Sequence, residues 1–159
     1  MAITNARTIN VAAGDISGLQ AAVAASNVRV VIAAGTYSGA LTSCSNDADI
    51  IAARGAVLDG HIDVNSRNRI HWTGGAINNN SSFLTAVLLF NCNDIMFDNV
   101  NLESTPSGSG DEVVALRRGA SRIAFINMTI RLNQPSGSGW GIHPQRSSAR
   151  TYTADSRQR

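Results

Sequence analysis

The chain has 159 residues, of which 43% are hydrophobic, 15% charged and 5% aromatic, and a formal net charge of +2. That length holds one ordinary domain and excludes two. The near-neutral charge excludes a broadly basic nucleic-acid surface, and no apolar run approaches the roughly 20 residues of a membrane helix.

Asn, Ser, Thr and Gly carry much of the polarity, which suits short strands and turns more than helices laced by ion pairs. All 13 basic residues are Arg, a side chain suited to planar recognition of carboxylates. Cys44 and Cys92 are too few for a disulfide framework and too far apart for a metal-ligand spacing, so they read as two buried thiols. The first residues, MAITNARTIN, lack the basic stretch and apolar core of a secretory signal. Localisation stays open.

One segment has a helical period. In GDISGLQAAVAASN, Asp15 or Ser17 can cap, and Ile16, Leu19, Ala22 and Val23 recur at helical spacing. Asn27 is a stop, so a helix over about 15–26 is predicted. Strand-like runs then follow from Val28, Ala48, His61, Arg69, Thr85, Asp94, Glu112 and Arg122, separated by turn residues.

Four of these runs align without gaps: DADIIAARGAV, RNRIHWTGGAI, CNDIMFDNVNL and ASRIAFINMTI. Ile50, Ile70, Ile95 and Ile123 coincide, as do Ala52, Trp72, Phe97 and Phe125, and Val57, Ile77, Leu102 and Ile130. Each of the last three is preceded by a shorter apolar run: Ile62 and Val64, Val87 and Leu89, Val114 and Leu116. A unit of several short strands without a helix cannot bury its apolar face alone and must stack on its neighbours as a solenoid. Equivalent residues then form columns about 4.8 Å apart. One column predicts a polar ladder, Asn68, Asn93 and Ser121. Another alternates in sign, Asp49, Arg69, Asp94 and Arg122, and reads as a structural ion-pair ladder. Trp72 falls in the core with Phe97 and Phe125, while His61 and His71 are expected to face solvent.

The stretch DISGLQAAVAASNVRVVIAAGTYSGAL resembles the opening of pectate-lyase-like right-handed parallel β-helices, including phage tailspikes. There a short helix covers the open end of the solenoid, and a strand runs into a Gly-Thr-Tyr turn, here Gly35-Thr36-Tyr37. The resemblance covers about residues 10–145. It implies an all-β fold: a single-stranded right-handed parallel β-helix over 1–145, with the capping helix, followed by a polar tail, 146–159. A narrower likeness is to polygalacturonase-like glycoside hydrolases. GAVLDGHI is similar to their Gly-x-x-x-Asp-Gly coil, LLFNCNDIMFDNVNLES to the coil that follows, and GDEVVALRRGASRIAFINMTI to their Gly-Asp-Asp coil. Gly110, Asp111 and Glu112 match Gly-Asp-Asp, with Glu112 in place of the second Asp. Trp140, between Gly139 and Gly141, stands where the family has a His. The family's earlier acid has no counterpart near Leu84 and Thr85, and its Arg-x-Lys has none either.

The resemblance implies a polysaccharide partner, with Asp111 and Glu112 as the acid and base of acidic-glycan hydrolysis. Inverting hydrolysis requires carboxyl groups roughly 6.5–9.5 Å apart. Adjacent strand residues point to opposite faces, so both acids share a groove only if a turn or bulge re-aims one. A carboxylate pointing into the core, or paired with Arg117 or Arg118, does not serve. The alternative is a solvated coil corner. Trp140 can stack on a sugar ring or cap the last coil. His143 is a general-base candidate if it has a partner, and Arg117 and Arg118 can bind a sugar carboxylate or line a solvated turn. No acids cluster on adjacent coils to hold calcium, so neither metal nor cofactor is expected. The tail PQRSSARTYTADSRQR holds no further coil and reads as a frayed end or an oligomer contact. Because a solenoid needs both ends capped, a homo-oligomer through the C-terminal coil is one way to cover that end. The rival to glycan recognition or processing is a noncatalytic structural or adhesion β-helix.

Overall fold

Runs of four to six residues that alternate apolar and polar form strands, and each strand pairs in parallel with the equivalent run one coil later. The computed structural model describes residues 7–80, 85–105, 112–133, 140–144 and 153–154. It is a right-handed parallel β-solenoid of about five turns, as the repeat and the resemblance imply. Each coil visits three sheets. The first sheet stacks Arg7–Val11, Val28–Ile32, Ala48–Ala52, Asn68–Thr73, Asn93–Asp98, Ser121–Ile126 and Thr153–Ala154. The second stacks Gly35–Ser38, Ala56–Asp59, Ala76–Asn79, Asn101–Ser104 and Thr129–Leu132. The third stacks Ile62–Asn65, Thr85–Phe90, Glu112–Arg117 and Trp140–Pro144.

The helix spans Ile16–Ala24, with Asp15 as its N-cap: the carboxylate accepts from the Gly18 N–H at 2.8 Å. Its apolar stripe, Leu19, Ala22 and Val23, is buried in the core. The Ser45 N–H donates to Val23 O at 2.8 Å, tying the helix to the first coil. Tyr37, in the strand Gly35–Ser38, is fully buried, with its hydroxyl 2.8 Å from Ala33 O and 3.0 Å from Ala12 O. No helix among the described residues is long and apolar enough to cross a membrane.

Core residues stack like on like. Ile70, Ile95 and Ile123 form one column, and Trp72, Phe97 and Phe125 another. The Phe97 and Phe125 rings are stacked, with centroids 5.8 Å apart and planes 15° from parallel. Trp72 donates its indole N–H to Gly74 O at 3.1 Å, so its polar edge is satisfied inside the core. In the third sheet Ile62, Val87 and Val114 stack, as do Val64, Leu89 and Leu116.

The first full coil departs from the gap-free alignment. Ala48 pairs with Ile70, and Ile50 with Trp72. The shift is two residues, so the inward face is preserved. Its cause is a longer corner: Ala48 to Val57 is nine residues, while Ile70 to Ala76, their partners, is six, leaving three extra. Leu58, not Val57, therefore joins the column of Ile77 and Leu102. The charge ladder moves too. Its first member is Asp47, not Asp49. Asp47, Arg69, Asp94 and Arg122 all adopt left-handed backbone, with φ of 59°, 56°, 57° and 51°. Arg69 binds Asp47, and Arg122 binds Asp94, each with Nη2 2.7 Å from a carboxylate oxygen. Asp49 instead lies between Arg29, at 2.9 Å, and His71, at 3.7 Å. His71 is thus half-buried and also 3.1 Å from Thr73 Oγ1, rather than open to solvent. The polar ladder gains Asn46, whose side-chain oxygen accepts from the Asn68 N–H at 2.8 Å, and Ser121 Oγ donates to Asn93 at 2.6 Å.

Four strands lay outside the sequence reading. Gly35–Ser38 stands where a Gly-Thr-Tyr turn was expected and pairs with Ala56–Asp59, and Trp140–Pro144 pairs with Glu112–Arg117 in the third sheet. Arg7–Val11 precedes the helix and pairs with Val28–Ile32. Thr153–Ala154 pairs with Ala124 and Phe125, so the tail returns a short strand to the first sheet. Both cysteines are buried and free, and burial pushes each thiol up to about 12, which keeps them protonated and unreactive.

Two outcomes test this packing. Phe97→Ala should lower unfolding stability by about 3–5 kcal/mol in urea titration, because it opens a hole in the aromatic column. The second concerns acid. Arg69 and Arg122 hold the Asp47 and Asp94 carboxyls below their ordinary value of 3.8. Carboxyls depressed in the folded state contribute stability that is present above 3.8 and lost as pH falls through the lower folded value. Melting temperature should therefore drop between about pH 5 and pH 2, and Asp94→Asn should make that drop shallower.

Candidate functional site on the third sheet

In the strand Glu112–Arg117 the burial pattern is unbroken from Glu112 to Leu116. Val114 and Leu116 lie in inward columns, which leaves Ala115 and Arg117 on the outer face. Val113 is also fully buried, next to Val114, and Ala86 and Val87 repeat this doubling one coil earlier. Two consecutive inward residues break the period of two, as a bulge does, and bring Glu112 back to the outer face. The hydrogen bonds fit that geometry. Arg117 Nη2 donates to Glu112 Oε2 at 2.5 Å, and His143 Nδ1, one coil on, bonds Glu112 Oε1.

Glu112 is only 5% exposed. Both carboxylate oxygens are committed, one to a guanidinium and one to an imidazole, so a buried charge is paired on each side. Ala115 stands in register with His143. The Arg117 side chain stays 24% exposed. Its Nη2 is held by Glu112, whereas its Nη1 is enclosed and has no hydrogen-bond partner among the described residues.

The structure thus brings together three of the six residues singled out in the sequence: Glu112, Arg117 and His143. The backbone of Trp140 is in register with Glu112. Arg118 sits in the exposed turn that leads to Gly119. Asp111 lies outside the described residues. Thr85 occupies the Glu112 column one coil earlier.

Sequence reasoning missed other members of this outer face. Asp63 pairs in register with Leu88, and Leu88 with Ala115; Asn65 pairs with Phe90, and Phe90 with Arg117. Burial pushes the Asp63 carboxyl up and the half-buried His61 imidazole down. Asp63 Oδ1 is enclosed without a hydrogen-bond partner among the described residues. The signal was available: Val87 and Leu89 inward place Leu88 and Phe90 outward. Among the described residues no group of three His, Cys, Asp or Glu could hold a metal.

A groove of about 530 Å³ lies at the corner between the first and second sheets, over Ala52, Ala56, Gly74 and Gly75. Close backbone packing explains its shallow floor, since a Cβ on Gly74 would come 2.6 Å from Ala52 O. The charged cluster is on the third sheet, away from it.

No family model matches the chain, and neither a curated protein nor a solved structure is significantly similar to it.

Glu112→Gln should cost about 3 kcal/mol or more in chemical unfolding, because it leaves Arg117 uncompensated in a largely buried pair. The same variant should accelerate amide exchange in residues 140–144, which His143 anchors to the preceding coil.

Proposed function

We propose that the outer face of the third sheet recognises an acidic polysaccharide without hydrolysing it through Glu112. The observation that carries this reading is the Arg117 guanidinium. Glu112 fixes its orientation from one side, and the side chain keeps 24% of its surface exposed. A guanidinium so oriented and still part-exposed can give a sugar carboxylate a charge-assisted bond. The coil motifs shared with pectate-lyase-like and polygalacturonase-like proteins point to the same ligand class. Glu112, with both oxygens engaged, suits a strut for Arg117 better than an acid or base.

A purely structural or adhesive role is the second reading. It is favoured by the first sheet, where Asp47, Asp49, Asp94 and their arginines are consumed in ladders between coils.

The test is calorimetric titration with uronic-acid polysaccharides and their neutral counterparts, alongside a reducing-end assay. Binding should be confined to the acidic glycans and weaken as salt rises, with no new reducing ends. Equal binding of neutral glycans, or none of either, would overturn the reading. New reducing ends from the wild type that vanish in Asp111→Asn would show a hydrolase instead.

A further inference from the structure

We infer that Thr73, His71 and Asp49, on the outer face of the first sheet, act as nucleophile, base and orienting carboxylate in the hydrolysis of a small, uncharged acyl ester held in the neighbouring groove. The inference is independent of glycan recognition on the third sheet.

The three side chains stand together on adjacent coils. Asp49 pairs in register with His71, and Thr73 follows His71 by two residues, so it faces the same way. His71 Nε2 is 3.1 Å from Thr73 Oγ1, and His71 Nδ1 is 3.7 Å from Asp49 Oδ1. The first contact is a hydrogen bond and the second an electrostatic one, longer than a hydrogen bond. A carboxylate facing Nδ1 keeps the proton on that nitrogen, which leaves Nε2 to accept from the threonine hydroxyl. Arg29 holds the other oxygen of Asp49 at 2.9 Å and steadies the carboxylate. Burial lowers the His71 pKa from its ordinary 6.5, against the opposing pulls of Asp49 and Asp98. At neutral pH the ring is therefore an uncharged base. The His71 side chain keeps 26% of its surface exposed, and Thr73 is half-buried.

The groove of about 530 Å³ begins where these strands end, and its size suits a small molecule. Ile51, Thr73 and Asp98 form one row across three coils. Each is followed directly by a residue of the groove lining: Ala52, Gly74 and Asn99. Arg54 is exposed and is the one charged residue among the described lining. A guanidinium there suits the negative charge that develops on an ester carbonyl oxygen under attack. Asp98, in register with Thr73, disfavours an acyl group that already carries negative charge.

In the first half of the reaction Thr73 Oγ1 attacks the ester carbonyl as its proton passes to His71 Nε2. The bond from the acyl carbon to the leaving alcohol breaks, and the alcohol takes that proton. Water then attacks the acyl-threonine with His71 again as base. The carboxylic acid leaves and Thr73 recovers its hydroxyl.

The experiment follows hydrolysis of p-nitrophenyl acetate and of the monoanionic p-nitrophenyl succinate by the intact chain, with mass spectrometry after a rapid acid quench. Turnover should exceed that of free imidazole at equal concentration, favour the acetate, and leave an acetyl group on Thr73. Thr73→Val and His71→Gln should each lower kcat by roughly 10²–10⁴-fold, while Thr73→Ser retains turnover. Asp49 is a positioning residue, so Asp49→Asn should lower kcat and leave KM unchanged. Arg54→Gln should lower kcat by about 10²-fold. Turnover no faster than imidazole would overturn the inference. So would full activity in Thr73→Val, which would make His71 itself the nucleophile, or an acetyl group found on another residue. Preference for the succinate would overturn the assignment of an uncharged acyl group.

Discussion

Registered parallel stacking, coil upon coil, is the constraint on which everything else here depends. No single coil can bury its apolar face, so each strand must meet its equivalent with the same residue facing inward. The aromatic column of Trp72, Phe97 and Phe125 supplies much of the drive. The left-handed corner supplies much of the specificity. Asp47, Arg69, Asp94 and Arg122 succeed one another there, so a slip of one coil would bring like charges together. Exposed ion pairs add little net stability. Their value lies in selecting one register among several that would bury similar area.

The same register creates the outer-face chemistry. Residues far apart in the chain, such as Glu112 and His143, become neighbours because their coils are adjacent. The local doubling at Val113 and Val114 then decides which way Glu112 points. Without it, Glu112 would share the inward face of Val114, where an ionised carboxylate has no water and no partner. With it, the carboxylate is drawn between Arg117 and His143. A carboxylate so occupied is well placed to hold a cation still and poorly placed to transfer a proton to a substrate. Inverting hydrolysis requires carboxyl groups free to act on substrate and water, which Glu112 is not.

Much of the architecture was legible in the sequence because columns of Ile and aromatic residues recur with strand periodicity. The capping helix was legible from Asp15 and the spacing of Leu19, Ala22 and Val23. The register of the first full coil was not, because Ala53, Arg54 and Gly55 lengthen a corner, and a gap-free alignment has no place for them. Arg7–Val11 was missed since five residues before the helix show little alternation. Of the candidate site, Glu112, Arg117 and His143 were each visible, but their convergence was not. It depends on a local break in the strand's alternation that two adjacent valines do not announce. Leu88 and Phe90 went unnoticed because their place on the outer face comes from lateral neighbours one coil away, which a linear reading does not rank.

The most direct measurement is a map of backbone amide shifts by nuclear magnetic resonance as a uronic-acid oligosaccharide is titrated into the intact chain. Perturbations should concentrate in Ile62–Asn65, Thr85–Phe90 and Glu112–Arg117, the three strands whose outer face forms the row from Asp63 to Arg117. Perturbations centred on the corner of Gly74 and Asn99, or on the Asp47 to Arg122 ladder, would contradict the assignment of recognition to the third sheet.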